Sequence, residues 1–258
     1  MADVVELRLD GAVLTVALNR PQQHNALTPE LIERLTAVFH QDALANDVRV
    51  IVLTGNGRSF CAGADINTMR AAADTDFAAN VADGKVIFDL VQAIDNCPKP
   101  VVGRVNGVAI GGGVGLVSAC DIVVAVDRAQ FAFSETRLGI VPAVISPFVL
   151  AKIGVGNGRE LFLTGERFDV HRAKQIGLVQ HVVAEDGLDT AVAERIEQLL
   201  LAAPGAQAAA KELIRKVAHQ PTDEMCDFTA NLIAQCRASD EGREGLSAFL
   251  QKRTPNWR

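Results

Sequence analysis

The chain has 258 residues, 49% of them hydrophobic and 22% charged, with 21 glycines and nine prolines. That length supports one large domain with a sizeable core, and the glycine and proline content excludes a collagen-like or disordered chain. Twenty-five basic against 31 acidic residues leave a net charge of −6, which argues against bulk nucleic-acid binding. The opening MADVVELRLD lacks the basic-then-apolar order of a secretory leader. No run of 18 uncharged apolar residues occurs, so neither a leader nor a membrane span is expected. Cys61, Cys97, Cys120, Cys226 and Cys236 match no zinc or disulfide spacing and read as reduced core or helix-packing residues of a cytoplasmic protein.

Val5, Leu7 and Leu9 alternate with Glu6, Arg8 and Asp10, the pattern of a half-buried strand, and Asp10-Gly11 turns it into a return strand at 13–18. Thr28 caps a helix that starts at Pro29 and carries Leu31, Leu35 and Val38 or Phe39 on its apolar face. Residues 48–53 form a β-branched run suited to a strand covered on both faces. A helix is expected at 80–93, stopped by Pro98 and Pro100, then strands at 101–105, 122–126 and 131–133, with a helical stretch at 116–120. From Pro147 onward the pattern is helical, at 147–152, 158–163, 169–176, 191–201, 205–217, 222–237 and 240–252. The order predicts an α/β chain with crossover connections and no internal repeat.

Two glycine-rich turns stand where a buried strand meets a helix start: Ser59 to Asp65, after Thr54-Gly55-Asn56-Gly57, and Asn106-Gly107 to Gly113. Backbone N–H groups at such ends lack intrahelical partners and can point at an oxyanion. The alternative is a tight turn that needs positive φ or close packing. Neither segment is a nucleotide fingerprint: Leu116 breaks the G-x-G-x-x-G order, and no Lys-Ser or Lys-Thr follows. Nearby are Asp65, Asp121 and Glu135. Glu135 lies among apolar residues, where a carboxyl titrates high and carries protons, or else pairs with Arg137 or Arg104. His24, His40, His171, His181 and His219 are scattered, with no nucleophile elbow and no H-E-x-x-H, so neither a triad nor a metal site is expected.

Leu18-Asn19-Arg20-Pro21 through Asn25-Ala26-Leu27, Phe60 to Asp65, Asn106-Gly107 to Gly113 and Cys120-Asp121-Ile122 stand in one order along the chain. Ala129-Gln130-Phe131, Glu135 with Leu138-Gly139, and Glu244 to Phe249 continue it. In these motifs the chain resembles the crotonase, or enoyl-CoA hydratase/isomerase, superfamily almost end to end. The resemblance implies a spiral of β-β-α turns over 1–195 and a helical C-terminal region, 196–258, that makes a homotrimer or a dimer of trimers. It implies an acyl-CoA thioester as the bound partner, with coenzyme A part of the substrate, no tightly bound cofactor and no metal. It places the thioester oxygen between the N–H groups of Ala64 and Gly112, where fixed dipoles meet charge as it develops. It assigns coenzyme A contacts to Ala62 and Asp65, and to Phe249 and Lys252 from the C-terminal helix of the same or a neighbouring subunit. The 69–85 segment would wall the acyl pocket.

The best-known hydratases of the superfamily carry two glutamates, one matching Glu135 and the other falling on Gly115. Only Glu135 remains here. The implied reaction is addition of water across an α,β double bond; the alternative is Δ3–Δ2 enoyl-CoA isomerisation, which needs a single acid/base. Ser134 to Pro147 is similar to bacterial methylglutaconyl-CoA hydratases of leucine and terpene degradation. That likeness implies a second substrate carboxylate in the room vacated at Gly115, with Arg137 as its counter-charge. RNA binding, reported for relatives of that group, is not expected at this net charge.

Overall fold

A computed structural model describes residues 3–73, 75–218 and 220–257; His219 and position 74 lie outside them. The opening alternation folds into an antiparallel hairpin of β1 (Val5–Asp10) and β2 (Val13–Leu18), turned at Gly11 with φ of 55°. The Thr28 hydroxyl accepts from the Leu31 N–H and caps α1 (Pro29–His40), which buries Leu31, Ile32, Leu35, Val38 and Phe39.

From here the chain repeats one unit. β3 (Val50–Gly55) is followed by the short β4 (Ser59–Cys61) and the helices α2 (Ile66–Ala73) and α3 (Phe77–Asn96). β5 (Val101–Val105) is followed by β6 (Val108–Ile110) and α4 (Gly112–Ala119). β7 (Ile122–Val126) is followed by β8 (Gln130–Ala132), a 3-10 turn (Ser134–Leu138) and α5 (Ser146–Thr164). In each unit the first strand joins one sheet and the second joins another. With β9 (Arg167–Asp169), α6 (Val170–Gln175) and β10 (His181–Val183), the sheets read β1-β2-β3-β5-β7-β10 and β4-β6-β8-β9. The pairs from β2 to β10 are parallel, as crossovers demand, and β8 with β9 is antiparallel. The fold is thus the expected α/β spiral.

Several expectations need correction. The region after Pro147 is not purely helical: it gives a strand to each sheet, three residues long in both cases, too short for a period-2 pattern to register. The repeat exists in structure although no sequence repeat shows, because each turn is built from different apolar residues. The helices expected at 147–152 and 158–163 are one span, bent at Gly154, whose φ of 76° and ψ of 159° are not helical. The expected helix at 116–120 begins at Gly112, and the helix start expected after Ser59 to Asp65 is α2. Among the cysteines, Cys61, Cys97 and Cys120 are buried, Cys236 is half-buried and Cys226 is exposed; all five are free.

The core lies between the sheets and α1, α3, α4 and α5. In α4 every residue from Gly113 to Ala119 is buried, which an all-apolar helix requires. α7 (Leu188–Leu201) lies against β3, β5, β7 and β10, so the division expected at 195/196 falls inside a helix of the core. α8 (Pro204–Val217), α9 (Cys226–Ala238) and α10 (Asp240–Leu250) pack on one another. α8 and α9 bury none of their residues within the chain. Polar ties hold α8 to the core: Lys211 Nζ meets Asp121 Oδ2 at 2.7 Å, and Arg215 donates to Asp95 O and Asn96 Oδ1, each at 3.0 Å.

Close approach, rather than conformation, fixes Gly113: a Cβ there would stand 2.3 Å from the Cys61 carbonyl oxygen. Gly113→Ala is expected to push α4 off β4 and cost on the order of 3 kcal/mol, read as a lower urea midpoint with an unchanged slope.

Candidate active site

Two chain crossings build the site. In the first, Leu27 bridges to Ala64 in parallel: the Leu27 N–H donates to Gly63 O at 2.7 Å, and the Asp65 N–H donates to Leu27 O at 3.0 Å. In such a bridge residue 27 takes the groups on either side of Ala64, so the N–H of Ala64 points the other way. It meets no acceptor among the described residues. In the second crossing β6 ends at Gly111, whose φ of 52° turns the chain into α4. Gly112 opens that helix, and its N–H is one of the unsatisfied donors of a helix start. The two donors are neighbours: a Cβ on Gly63 would lie 3.9 Å from Gly112 N, and one on Gly112 would lie 2.9 Å from Leu27 Cδ1.

Glu135 reaches the same place from β8. The register Ile110↔Ala132, with the Gly111 N–H donating to Ala132 O at 2.9 Å, sets the following 3-10 turn against Gly111. A Cβ on Gly111 would stand 2.9 Å from Glu135 Oε1, so only glycine leaves room for the carboxyl. Glu135 Oε2 is buried without a hydrogen-bond partner. Burial pushes its pKa up, because the charged form loses hydration that a hydrogen bond from its own backbone N–H only partly replaces.

Neither arginine proposed as a partner pairs with it. Arg104 Nε is bound to Asp189 at 2.7 Å, and Arg137 Nε donates to Thr164 O at 3.0 Å while its stem packs over Gly165. The room expected beside Gly115 is also absent. Gly115 is buried, and a Cβ there would meet Ile145 Cγ2 at 2.4 Å. Ile145, 1% exposed at the start of α5, fills the space.

Asp65 is buried and held below the usual carboxylate range, first by the Asn67 N–H at 2.9 Å and also by Arg20, whose Nη2 lies 3.4 Å away. The Ala62 N–H donates to His24 O at 3.0 Å. Phe249 and Lys252 stand apart from this cluster, at the end of α10, with Phe249 81% exposed. Cys61 is a packing residue, since burial raises its thiol to about 12. Among the described residues no group of three His, Cys, Asp or Glu side chains is placed to hold a metal, and no helix is long and apolar enough to cross a membrane. Leu27 and Ile145 lie within the motifs read from the sequence, but their packing roles were not read there, because an aliphatic side chain carries no chemical signature of its own.

Two N–H groups without protein acceptors, beside a carboxyl whose Oε2 is buried and unpaired, form an arrangement that can stabilise a carbonyl oxygen's developing charge while a proton moves next to it. A family model described as enoyl-CoA hydratase/isomerase matches residues 8–258. An enoyl-CoA hydratase structure from Shewanella pealeana aligns with a TM-score of 0.95 at 36% identity, over 98% of this chain and 96% of that one. Pseudomonas aeruginosa AtuE aligns at 0.94 and 37%, over 98% and 99%. The 2,3-dehydroadipyl-CoA hydratase of Escherichia coli K12 is 34% identical over 248 residues, 95% of each chain.

The chain belongs to the enoyl-CoA hydratase/isomerase family, within the crotonase superfamily. It carries the family's hydratase or lyase chemistry on acyl-CoA thioesters; such enzymes need no bound cofactor, coenzyme A being part of the substrate.

The folded protein holds the Glu135 proton more tightly than the unfolded chain does. Stability is therefore lost as pH rises from the ordinary carboxylate pKa through the raised one. Glu135→Gln cannot ionise, so its stability relative to wild type is expected to grow between pH 4 and pH 8. Melts at the two pH values check this, and equal gaps at both would refute it.

Proposed function

We propose that the chain is an enoyl-CoA hydratase in which Glu135 alone handles the protons. The observation that carries this is Glu135 Oε2, buried and unpaired on the carboxyl that abuts Gly111, the residue before Gly112. The thioester oxygen lies between the N–H groups of Ala64 and Gly112. Ionised Glu135 takes a proton from water as the water oxygen bonds to Cβ, and the electron pair moves to the thioester oxygen as an enolate. The same carboxyl then returns a proton to Cα, giving the 3-hydroxyacyl thioester. Its raised pKa suits the second step, since the acid form must persist until Cα is ready. Hydration therefore fades as pH falls through that raised pKa.

Coenzyme A runs past Ala62 and Asp65, with Phe249 and Lys252 approaching it from the end of a neighbouring subunit's α10. Asp65 orders the loop through the Asn67 N–H, while Lys252 offers phosphate a charge. The exposed apolar side chains of the C-terminal helices, among them Ile214, Ile233 and Leu246, support assembly into a trimer or a dimer of trimers. For the acyl group we favour a chain with a second carboxylate, of the 3-methylglutaconyl type. The stretch from Ser134 to Pro147 supports this choice, as does the dicarboxylic substrate in the name of the E. coli relative. That carboxylate would meet Arg137, exposed on the turn after Glu135, and not the filled space at Gly115.

The packing of Ile145 over Gly115 favours a second reading, Δ3–Δ2 isomerisation, because it leaves one carboxyl and no second group to hold water. A panel of crotonyl-, 3-methylcrotonyl-, 3-methylglutaconyl- and 3-enoyl-CoA in 18O-water separates the two. We expect label in the glutaconyl product, and a loss of at least about 100-fold in Glu135→Gln. Double-bond migration without label would make the enzyme an isomerase, and equal turnover of crotonyl-CoA would remove the second-carboxylate preference. A glutamate at 115 must displace Ile145, so Gly115→Glu is expected to cost roughly 3 kcal/mol or more. Pairing it with Ile145→Ala should recover part of that in thermal melts.

A further inference from the structure

Two asparagines hold the turn between β3 and β4 through their side-chain amide donors, although Asn106 Oδ1 is itself buried without a partner. Asn25 is fully buried with φ of 56°, and its Nδ2 donates to Asn56 O at 3.0 Å, Ser59 O at 2.9 Å and Phe60 O at 3.1 Å. Its Oδ1 accepts from the Arg20 N–H at 2.9 Å. Asn106 Nδ2 donates to Gly55 O at 2.8 Å and Gly57 O at 2.7 Å. Five carbonyls of one turn therefore converge on two amides.

Each asparagine begins an arm that ends at one of the free N–H groups. Beyond Asn25, Ala26 O accepts from Arg20 Nη1 at 2.6 Å, and Leu27 bridges to Ala64. Arg20 also reaches Asp65, the residue after Ala64. Beyond Asn106, Gly107 runs so close to the turn that a Cβ would stand 2.1 Å from Arg58 O; β6 then leads directly to Gly111 and Gly112. The amide donors of both side chains are spent on backbone carbonyls, so neither is available to substrate.

We propose that Asn25 and Asn106 are positioning residues, which fix the separation and aim of the Ala64 and Gly112 N–H groups by tying both arms to the 55–60 turn. The proposal rests on the reading of those two groups as the oxyanion donors. A donor misplaced by about 1 Å loses most of its value, while binding of the coenzyme A portion, spread over many contacts, changes little. The loss should therefore appear in kcat rather than KM.

The test uses Asn25→Gly, which keeps the left-handed backbone, and Asn106→Ala. Arg49→Ala is the control: it loses backbone acceptors at Trp257, Leu200 and Ala202, beside the opposite end of β3. Each protein is read by its melt, by kcat and KM on the turned-over enoyl-CoA, and by the infrared carbonyl stretch of bound 13C-labelled cinnamoyl-CoA. Wild type should lower that stretch on binding. Each asparagine variant should lose much of the lowering and roughly 10- to 100-fold in kcat, with KM within about threefold. Arg49→Ala should lose melting temperature only. If Asn25→Gly fails to fold, Arg20→Lys takes its place, since it weakens the hold on Ala26 O and Asp65 of the same arm. Folded variants with an undiminished shift and kcat would overturn the proposal, as would an equal loss of shift in Arg49→Ala. No shift in wild type would instead overturn the oxyanion reading, and the positioning role with it.

Discussion

This protein keeps two backbone N–H groups close together without a protein acceptor, one on the exposed Ala64 and one on the half-buried Gly112. Ala64 is spared pairing because Leu27 bonds to the residues on either side of it. Gly112 is spared because it opens a helix. Much of the surrounding structure exists to keep these groups rigid without satisfying them. β4 and β6 are held in parallel register, α4 is buried along its whole apolar length, and glycines at 63, 111 and 113 let backbones approach where any side chain would collide. A flexible site would let the N–H groups relax onto neighbouring carbonyls.

Glu135 obeys the same logic with the opposite charge. Its carboxyl lies against Gly111 and gains no basic partner, although two arginines stand close in sequence or in the sheet. Arg104 and Arg137 are committed to Asp189 and Thr164, which leaves the carboxyl without a cation to lock it in the ionised form. Ile145 over Gly115 extends this economy. Where a second carboxylate would raise the like-charge cost of ionising Glu135, the chain has packed a hydrocarbon.

How much of this was legible depended on length and on chemical character. The hairpin, the Thr28 cap, the long buried strands and α3 announce themselves through periodicity, caps and prolines spread over six or more residues. Of the second sheet only β8 does, because β4, β6, β8 and β9 are three residues each and its members are defined by their neighbours in space. Glu135 and the two glycine-rich turns were visible as residue types in suggestive places. The pairing of Arg137 was misjudged because nearness in sequence says nothing of where a long side chain turns. The filling of Gly115 was missed because a glycine reads as space until its neighbour is known.

Arg49 carries a different kind of consequence. Its guanidinium lies just before β3 and donates to carbonyls at Leu200, Ala202 and Trp257, the last 208 residues away in sequence. β3 is central to the larger sheet and emerges from the ribosome early. During synthesis the residues around it can collapse, but this cation finds its acceptors only when the far end of the chain arrives. A nascent chain thus carries an uncompensated charge at the base of its main sheet for most of its synthesis, which keeps that edge solvated. Segments 151 to 208 residues further along the chain close the base of a central strand.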